Sequence, residues 1–317
     1  MHISYSRFST YLGCPYCHYL AYEEGWTKKK TERPLYFGSD FHRLLENRIY
    51  PDKIAETKQE ITDQYYELNG DQQAELGEDY LEGLFSIFDD YCQVWKDAPL
   101  PDVTEQEFNI PIAIYKGEDI TFKGIIDELY FYPDGDKNGI SVGEHKTFSK
   151  MPAKDFLVMN TQKSLYAKAV EIIYGKLPKT IRWDYIRSKP ADYPIWLEKS
   201  QRFSTATSQN ITPYSWRRAC EEHGITDEDI IATGERYSQN IPNFFFRTEM
   251  DYIPEMIDDV WDGFKYTCKD IVLHGKKNKT KNITYGCSWC GYRDICHAEL
   301  TGGNVEAILE HDFERKE

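Results

Sequence analysis

The residues best equipped for chemistry in this chain are Asp127 and, seventeen positions on, Glu144-His145-Lys146. Two carboxylates brought together make a hard, oxygen-rich site suited to Mg²⁺ or Mn²⁺. Such an ion polarises a phosphate and lowers the pKa of a bound water. A neighbouring lysine orients that water and stabilises charge developing on the phosphate. Glu-x-Lys alone says little, because the chain also holds it at Glu56/Lys58 and Glu314/Lys316. Only Glu144 and Lys146 fall on a predicted strand, where residues two apart share a face, and only they follow a strand carrying an acid. The loop between these strands centres near Asp136, so antiparallel pairing predicts Asp127 opposite the Glu144 region. The bland alternative is an exposed strand with an ordinary Glu–Lys–Asp cluster, since short motifs recur by chance.

Two further groups could join that site. Gly38-Ser39-Asp40-Phe41-His42 opens a helix, and His42 could bring an imidazole from outside the sheet. Gln162 and Tyr166 lie four apart, on one face of the helix predicted after the lysine strand, where they could offer an amide and a phenol to a nucleic-acid backbone. Taken singly, His42 reads as a structural histidine, Gln162 as a surface residue and Tyr166 as a packing residue.

The elements that must position these residues follow from periodicity. Residues 5–24 read as a helix interrupted at Gly13-Cys14-Pro15, and a second helix begins near Tyr36. Lys53 to Trp95 is helical and polar, broken at Asn69-Gly70, and Pro99 and Pro101 end it. Ile110, Ile112 and Ile114 alternate; Gly117-Glu118-Asp119 makes a turn; strands follow at Ile120–Tyr132 and Ile140–Thr147, with a polar loop from Pro133 to Gly139 between them. A helix from Lys154 to Tyr174 and a strand from Ile181 to Arg187 complete an α/β unit. Beyond it come a possible strand around Ile195, short helices, an aromatic strand at Phe244–Phe246, a helix from Pro254 to Leu273, and a basic loop at Lys276–Lys281. The organisation expected is one domain over 1–317, with a helical insertion at 51–100 and an elaborated region at 188–280.

With 317 residues, 40% of them hydrophobic, the chain can bury a core. No apolar run reaches membrane-spanning length and no leader is visible, so a soluble cytoplasmic protein is expected, with no membrane partner. The formal net charge of -15 runs against the usual basic surface of nucleic-acid binders. It leaves room for a local basic groove.

Eight cysteines in a long chain without a leader point to metal or redox chemistry rather than a disulfide scaffold. Cys14-Pro15-Tyr16-Cys17 and Cys287-Ser288-Trp289-Cys290 form two Cys-x-x-Cys knuckles, as in a zinc site. That leaves Cys296 unused, whereas an iron–sulfur cluster needs four thiolates and has five candidates. Cys92, Cys220 and Cys268 are isolated and read as packed thiols.

Taken together, Gly38-x-x-x-His42, Asp127, Glu144-His145-Lys146-Thr147 and Gln162-x-x-x-Tyr166 resemble, in order and context, the RecB-like PD-(D/E)XK nucleases. The resemblance covers residues 1 to 187 and the C-terminal cysteine segment. Many members have Asp-Tyr-Lys-Thr where this chain has Glu144-His145-Lys146-Thr147. The resemblance implies a restriction-endonuclease-like α/β core, a mixed sheet flanked by helices. It implies His42, Asp127, Glu144 and the His145 carbonyl as metal ligands, Asp127, Glu144 and Lys146 as catalytic residues, and Gln162 with Tyr166 on the substrate side. Ser4-Tyr5-Ser6 through Cys14-Pro15, with Cys-x2-Cys-x5-Cys at Cys287, Cys290 and Cys296, is similar to the iron–sulfur branch, which includes AddB and CRISPR-associated members. That branch implies a 4Fe–4S cluster on Cys14, Cys287, Cys290 and Cys296, clasping residues 10–20 to 281–300, with Cys17 spare. The activity implied is exonucleolytic DNA hydrolysis in recombination, repair or phage replication, alongside a recombinase, helicase or other replication or repair protein. The reading from another class is a catalytically idle DNA-binding or assembly module with a structural zinc or iron–sulfur site.

Overall fold

The structure, a computed structural model, describes residues 1–29, 32–132, 139–149 and 157–316. The central sheet is mixed. Strand β3 (Val103–Tyr115) pairs antiparallel with β4 (Glu118–Tyr132), which pairs antiparallel with β5 (Gly139–Phe148). Strand β5 runs parallel to β6 (Thr180–Arg187), and β9 (Phe245–Asp251) closes the far edge antiparallel to β6. The short β1 (His2–Ile3) joins β4 in parallel at Thr121 and Phe122, so β1 and β5 occupy different stretches of β4. The expected meander and the following parallel strand are therefore present.

The β3–β4 hairpin closes on Lys116 and Gly117, with φ of 50° and 82°, and Tyr115 pairs Glu118. Two positive φ values suit a two-residue turn that matches strand twist, and Gly117 supplies one without steric cost. The turn thus falls slightly earlier than the sequence predicts. The polar loop expected after β4 and the first turn of the helix expected from Lys154 fall on residues 133–138 and 150–156, outside the described residues. Helix α7 runs from Thr161 to Tyr174 because Asn160 caps it, its side chain accepting from the Lys163 N–H.

Strands β5 and β6 are buried along nearly their whole length, as expected for parallel strands covered on both faces. One face carries Ile140, Val142, Ile181 and Trp183 against α1 (Tyr5–Gly13), α7 and α10 (Pro254–His274). Its centre is aromatic. Phe122 is fully buried, with ring centroids of Phe108 at 4.9 Å, Phe264 at 4.7 Å and Trp261 at 6.0 Å. The other face is covered by α3 (Arg33–Asn47) and α6 (Tyr80–Val94), with α4 (Pro51–Glu67) and α5 (Gly70–Leu76) outside them. Helix α3 starts before Tyr36 because Pro34 fits the first turn. Helix α8 (Pro213–Glu222) locks the later region onto α6: Arg218 pairs with the buried Asp90, which also accepts from Thr212 at 3.4 Å. No helix among the described residues is long and apolar enough to cross a membrane.

Phe122→Ala removes the ring on which Phe108, Tyr166, Trp261 and Phe264 converge, and we expect a loss of roughly 3–5 kcal/mol. The urea midpoint at unchanged m-value measures it; a loss below ~1 kcal/mol would show that this cluster is not the packing centre.

Candidate active site

The β4–β5 ladder ends at Glu128–Gly143, while β5 continues on β6 as far as Phe148–Arg187. The two strands therefore part at Asp127 and Glu144, which would be the next pair. The free N–H of His145 is taken by the Asp127 side chain, with Oδ2 accepting at 2.7 Å. A carboxylate has replaced the backbone partner and sits in the fork. Nearby, Ile126 and Leu129 both enter the same core although three residues apart, so the alternation of β4 slips at Asp127.

The fork brings most of the predicted residues together. Glu144 is buried, and its Oε1 accepts from Lys146 Nζ and from Gln162 Nε2 at 2.8 Å. Its Oε2 is buried with no hydrogen-bond partner. Tyr166 lies above on α7, its ring packed on Phe108 at 5.7 Å, with the Glu144 charge raising the phenol pKa further than burial alone. His42 reaches in from α3, with Nδ1 3.8 Å from Asp127 Oδ1. A Cβ on Gly38 would stand 3.5 Å from Thr147, an ordinary contact, so this glycine brings α3 near β5 without being required there.

Sequence reasoning missed Glu105. Its Oε1 is 3.7 Å from His42 Nδ1, and the ligand atoms of His42, Glu105 and Asp127 all lie within 4.8 Å of one another. The β3–β4 register places Glu105 across from Asp127, between the pairs Thr104–Glu128 and Gln106–Ile126. Counting back from the Gly117 turn was the signal available. Glu105 also adopts φ 48°, which a non-glycine residue rarely holds.

His145 divides its roles by face. Its backbone N–H serves Asp127, while its ring points to the opposite side of β5, with Nε2 3.0 Å from Glu128 and Nδ1 3.7 Å from Asp184. Both carboxylates are themselves buried and paired. Glu128 meets Arg48 at 2.7 Å and accepts from Tyr130 at 2.6 Å; Asp184 accepts a forked pair from Arg247 and a bond from Tyr91 at 2.8 Å. Arg48 donates to Tyr91 at 2.7 Å and closes the network. Gly143 is required beneath it, since a Cβ there would come within 2.9 Å of the Glu128 Cβ.

The electrostatics show what the fork lacks. Burial, then the Glu144 charge, pushes Asp127 up to about 7 against the pull of His42, His145 and Lys146. Burial lowers the His42 pKa, but the Glu105 hydrogen bond and the Asp127, Glu105 and Glu144 charges outweigh it and the net shift is upward. Lys146 likewise rises above its ordinary value: burial opposes its charge, and Glu144 and Asp127 prevail. A protonating aspartate and an unsatisfied Glu144 oxygen mark a site short of positive charge. A divalent cation fits it.

The cysteines gather elsewhere. Cys14, Cys17, Cys287, Cys290 and Cys296 line one cavity of about 400 Å³ between the N-terminal helices and the C-terminal segment. Cys17 and Cys290 approach to 3.4 Å. A hydrogen bond from Cys17 and the Tyr292 N–H hold Cys290 down to about 6 against its burial, while Cys17 is pushed up. Among the described residues no three cysteine sulfurs lie within 4.8 Å of one another. Cys220 and Cys268 are buried packed thiols and Cys92 is partly buried. The basic loop is tied down: Thr280 O accepts from the Tyr16 N–H at 3.0 Å, and Asn282 donates to Gly13 O at 3.0 Å.

A pH test follows from Asp127. Below about pH 4 it is protonated in folded and unfolded chains alike. Above that, only the folded state keeps the proton, so its contribution to stability is lost as pH rises towards about 7. We expect metal-free Asp127→Asn to gain stability relative to the parent across this window, measured by urea denaturation at stepped pH. A constant difference would mean that Asp127 does not titrate there.

The sequence profile of the PD-(D/E)XK nuclease superfamily matches residues 2–297. No curated protein matches the chain in sequence. Among solved structures, one described as "Crystal structure of SSO0001" covers 82% of this chain and 85% of that one at 14% identity, with a TM-score of 0.33, too loose a fit to carry structure or function across. With a mixed sheet flanked by helices and a profile match over nearly its whole length, this chain belongs to the PD-(D/E)XK nuclease superfamily.

Proposed function

We propose that this protein is a metal-dependent DNA exonuclease of the RecB-like iron–sulfur branch. The observation that carries the catalytic part is the fork, where Asp127, Glu144, Glu105 and His42 leave a demand for positive charge beside Lys146. Asp127, Glu144, His42 and the His145 carbonyl would hold Mg²⁺ or Mn²⁺, and Glu105, grouped with His42 and Asp127, would add an oxygen. When bound, the ion supplies Lewis acidity toward the phosphate and lowers the pKa of water.

The chain's own residues do the remaining work. Gln162 holds Glu144 Oε1, while Oε2 is buried with no hydrogen-bond partner. Lys146 keeps its proton in the company of Glu144 and Asp127, and so presents a fixed positive charge to a phosphate that gains negative charge. Tyr166 backs Glu144 on the substrate side. The His145 ring, clamped between Glu128 and Asp184, holds β5 so that its backbone keeps its place at the fork.

We further propose that Cys14, Cys287, Cys290 and Cys296 carry a 4Fe–4S cluster. Support comes from the gathering of these thiols at one cavity. A cubane spreads its four thiolates over four irons, so its ligands stand further apart than those of a single ion. The role is a clasp between distant segments.

Labelled single- and double-stranded DNA with Mg²⁺ or Mn²⁺ tests the first proposal. The parent should release nucleotides from ends, and Lys146→Ala should lose about 10²-fold or more in rate with its fold intact. Glu105→Gln should weaken Mn²⁺ binding in calorimetry. A Lys146→Ala protein that cleaves at the parent rate sinks the site.

For the cluster, anaerobic protein should be brown and contain iron. Cys287→Ser should lose colour and thermal stability together, and Cys17→Ser should keep both. Stoichiometric zinc with negligible iron would replace the cluster with a zinc site.

A further inference from the structure

The cysteine segment displays the most exposed aromatic surface of the described chain. Tyr285 is 81% exposed and Trp289 72%, and their rings meet edge to face at 4.9 Å. Ile283 and Leu300, at the rim of the cysteine cavity, extend this patch. Isolated exposed rings are common on protein surfaces; a contiguous patch of this kind marks an interaction site.

The backbone that carries the rings is ordered. They sit on the turn Tyr285–Trp289, where Thr284 Oγ1 accepts from the Gly286 N–H at 3.2 Å and the Cys290 N–H bonds Cys287 O at 3.2 Å. Trp289 stands between two cysteines of the cavity. A backbone already folded into a turn gives up little freedom on binding.

Charge identifies the occupant. Lys276, Lys277, Lys279 and Lys281 lie within six residues and run directly into the patch, and Arg293 lines the cavity beside it. Lys281 is paired with Glu299 and Arg293 with Asp294, whereas Lys276 and Lys277 have no ion-pair partner among the described residues. In a chain with net charge -15, this cationic run, followed in sequence by two exposed rings, complements a polyanion bearing flat, apolar faces.

We propose that this surface binds unpaired nucleic-acid strand, with bases stacking on Trp289 and Tyr285 and phosphates drawn to Lys276 and Lys277. Flat rings accept any base, and lysines track the backbone without reading sequence. A duplex hides its base faces, so the surface selects single strand over double. The proposal rests on the nuclease reading and extends it: the surface is separate from the carboxylate fork and would hold the strand outside it.

Fluorescence anisotropy in EDTA, where no cleavage occurs, tests it with three labelled probes: oligothymidylate, a blunt duplex, and an abasic strand of equal length. Trp289→Ala should weaken oligothymidylate binding roughly tenfold. Its affinity for the duplex and the abasic strand should match the parent's. Lys276→Glu with Lys277→Glu should weaken all three and flatten the salt dependence. Unchanged thermal midpoints show that the variants fold. If the parent binds oligothymidylate and Trp289→Ala binds it equally well, the surface is misassigned while the nuclease reading stands. A parent that binds no probe overturns the surface, while the nuclease reading stands or falls by cleavage in Mg²⁺ or Mn²⁺. Light scattering that shows a parent dimer turned monomeric by Trp289→Ala would assign the patch to a second copy of the chain and overturn the proposal.

Discussion

The site depends on one hydrogen bond, from the His145 N–H to Asp127. Where β4 and β5 separate, a backbone donor would otherwise be left in a buried place without a partner, at a cost of about 1–3 kcal/mol. Asp127 meets that demand from its side chain, and so stays fixed beside Glu144. The opening of the sheet and the placing of the carboxylates are thus a single event.

The two faces of β5 then divide the labour. Glu144 and Lys146 look toward α7 and the aromatic core, while His145 looks toward α3 and α6. Behind it, Glu128, Asp184, Arg48, Arg247, Tyr91 and Tyr130 form a dry polar network in which each charge has an opposite neighbour. Removing one member of such a network strands the rest, which is why buried pairs are costly to break even when they add little net stability. The network ties α3 and α6 to β5 through Arg48 and Tyr91.

Much of this was legible in the sequence because it is local or periodic. Glu144 and Lys146 stand two apart on a strand, and the loop before them fixes what lies opposite, so Asp127 could be placed without coordinates. His42, Gln162 and Tyr166 needed only a helix and a spacing once the family pattern was visible. Glu105 was not legible as a site residue, because its position depends on strand register counted back through a hairpin and on an unusual φ. The partners of His145 were hidden for a different reason: Arg48, Asp184 and Arg247 lie far apart in the chain, and no short-range pattern pairs them. The tying down of the basic loop also escaped, since it rests on bonds between residues more than two hundred and fifty positions apart.

That separation has a consequence for the order in which the protein is made. The strand Trp26–Lys28 pairs with Phe313–Arg315, and the Gly13–Tyr16 turn is sewn to Thr280 and Asn282. As the nascent chain leaves the ribosome, the sheet and its fork can assemble while these early segments still lack their partners. They wait, solvated and unpaired, until residues 280–315 emerge. The carboxylate site can therefore exist before the strand-holding surface that we place around Trp289, and a chain cut short during synthesis would keep the first and lack the second.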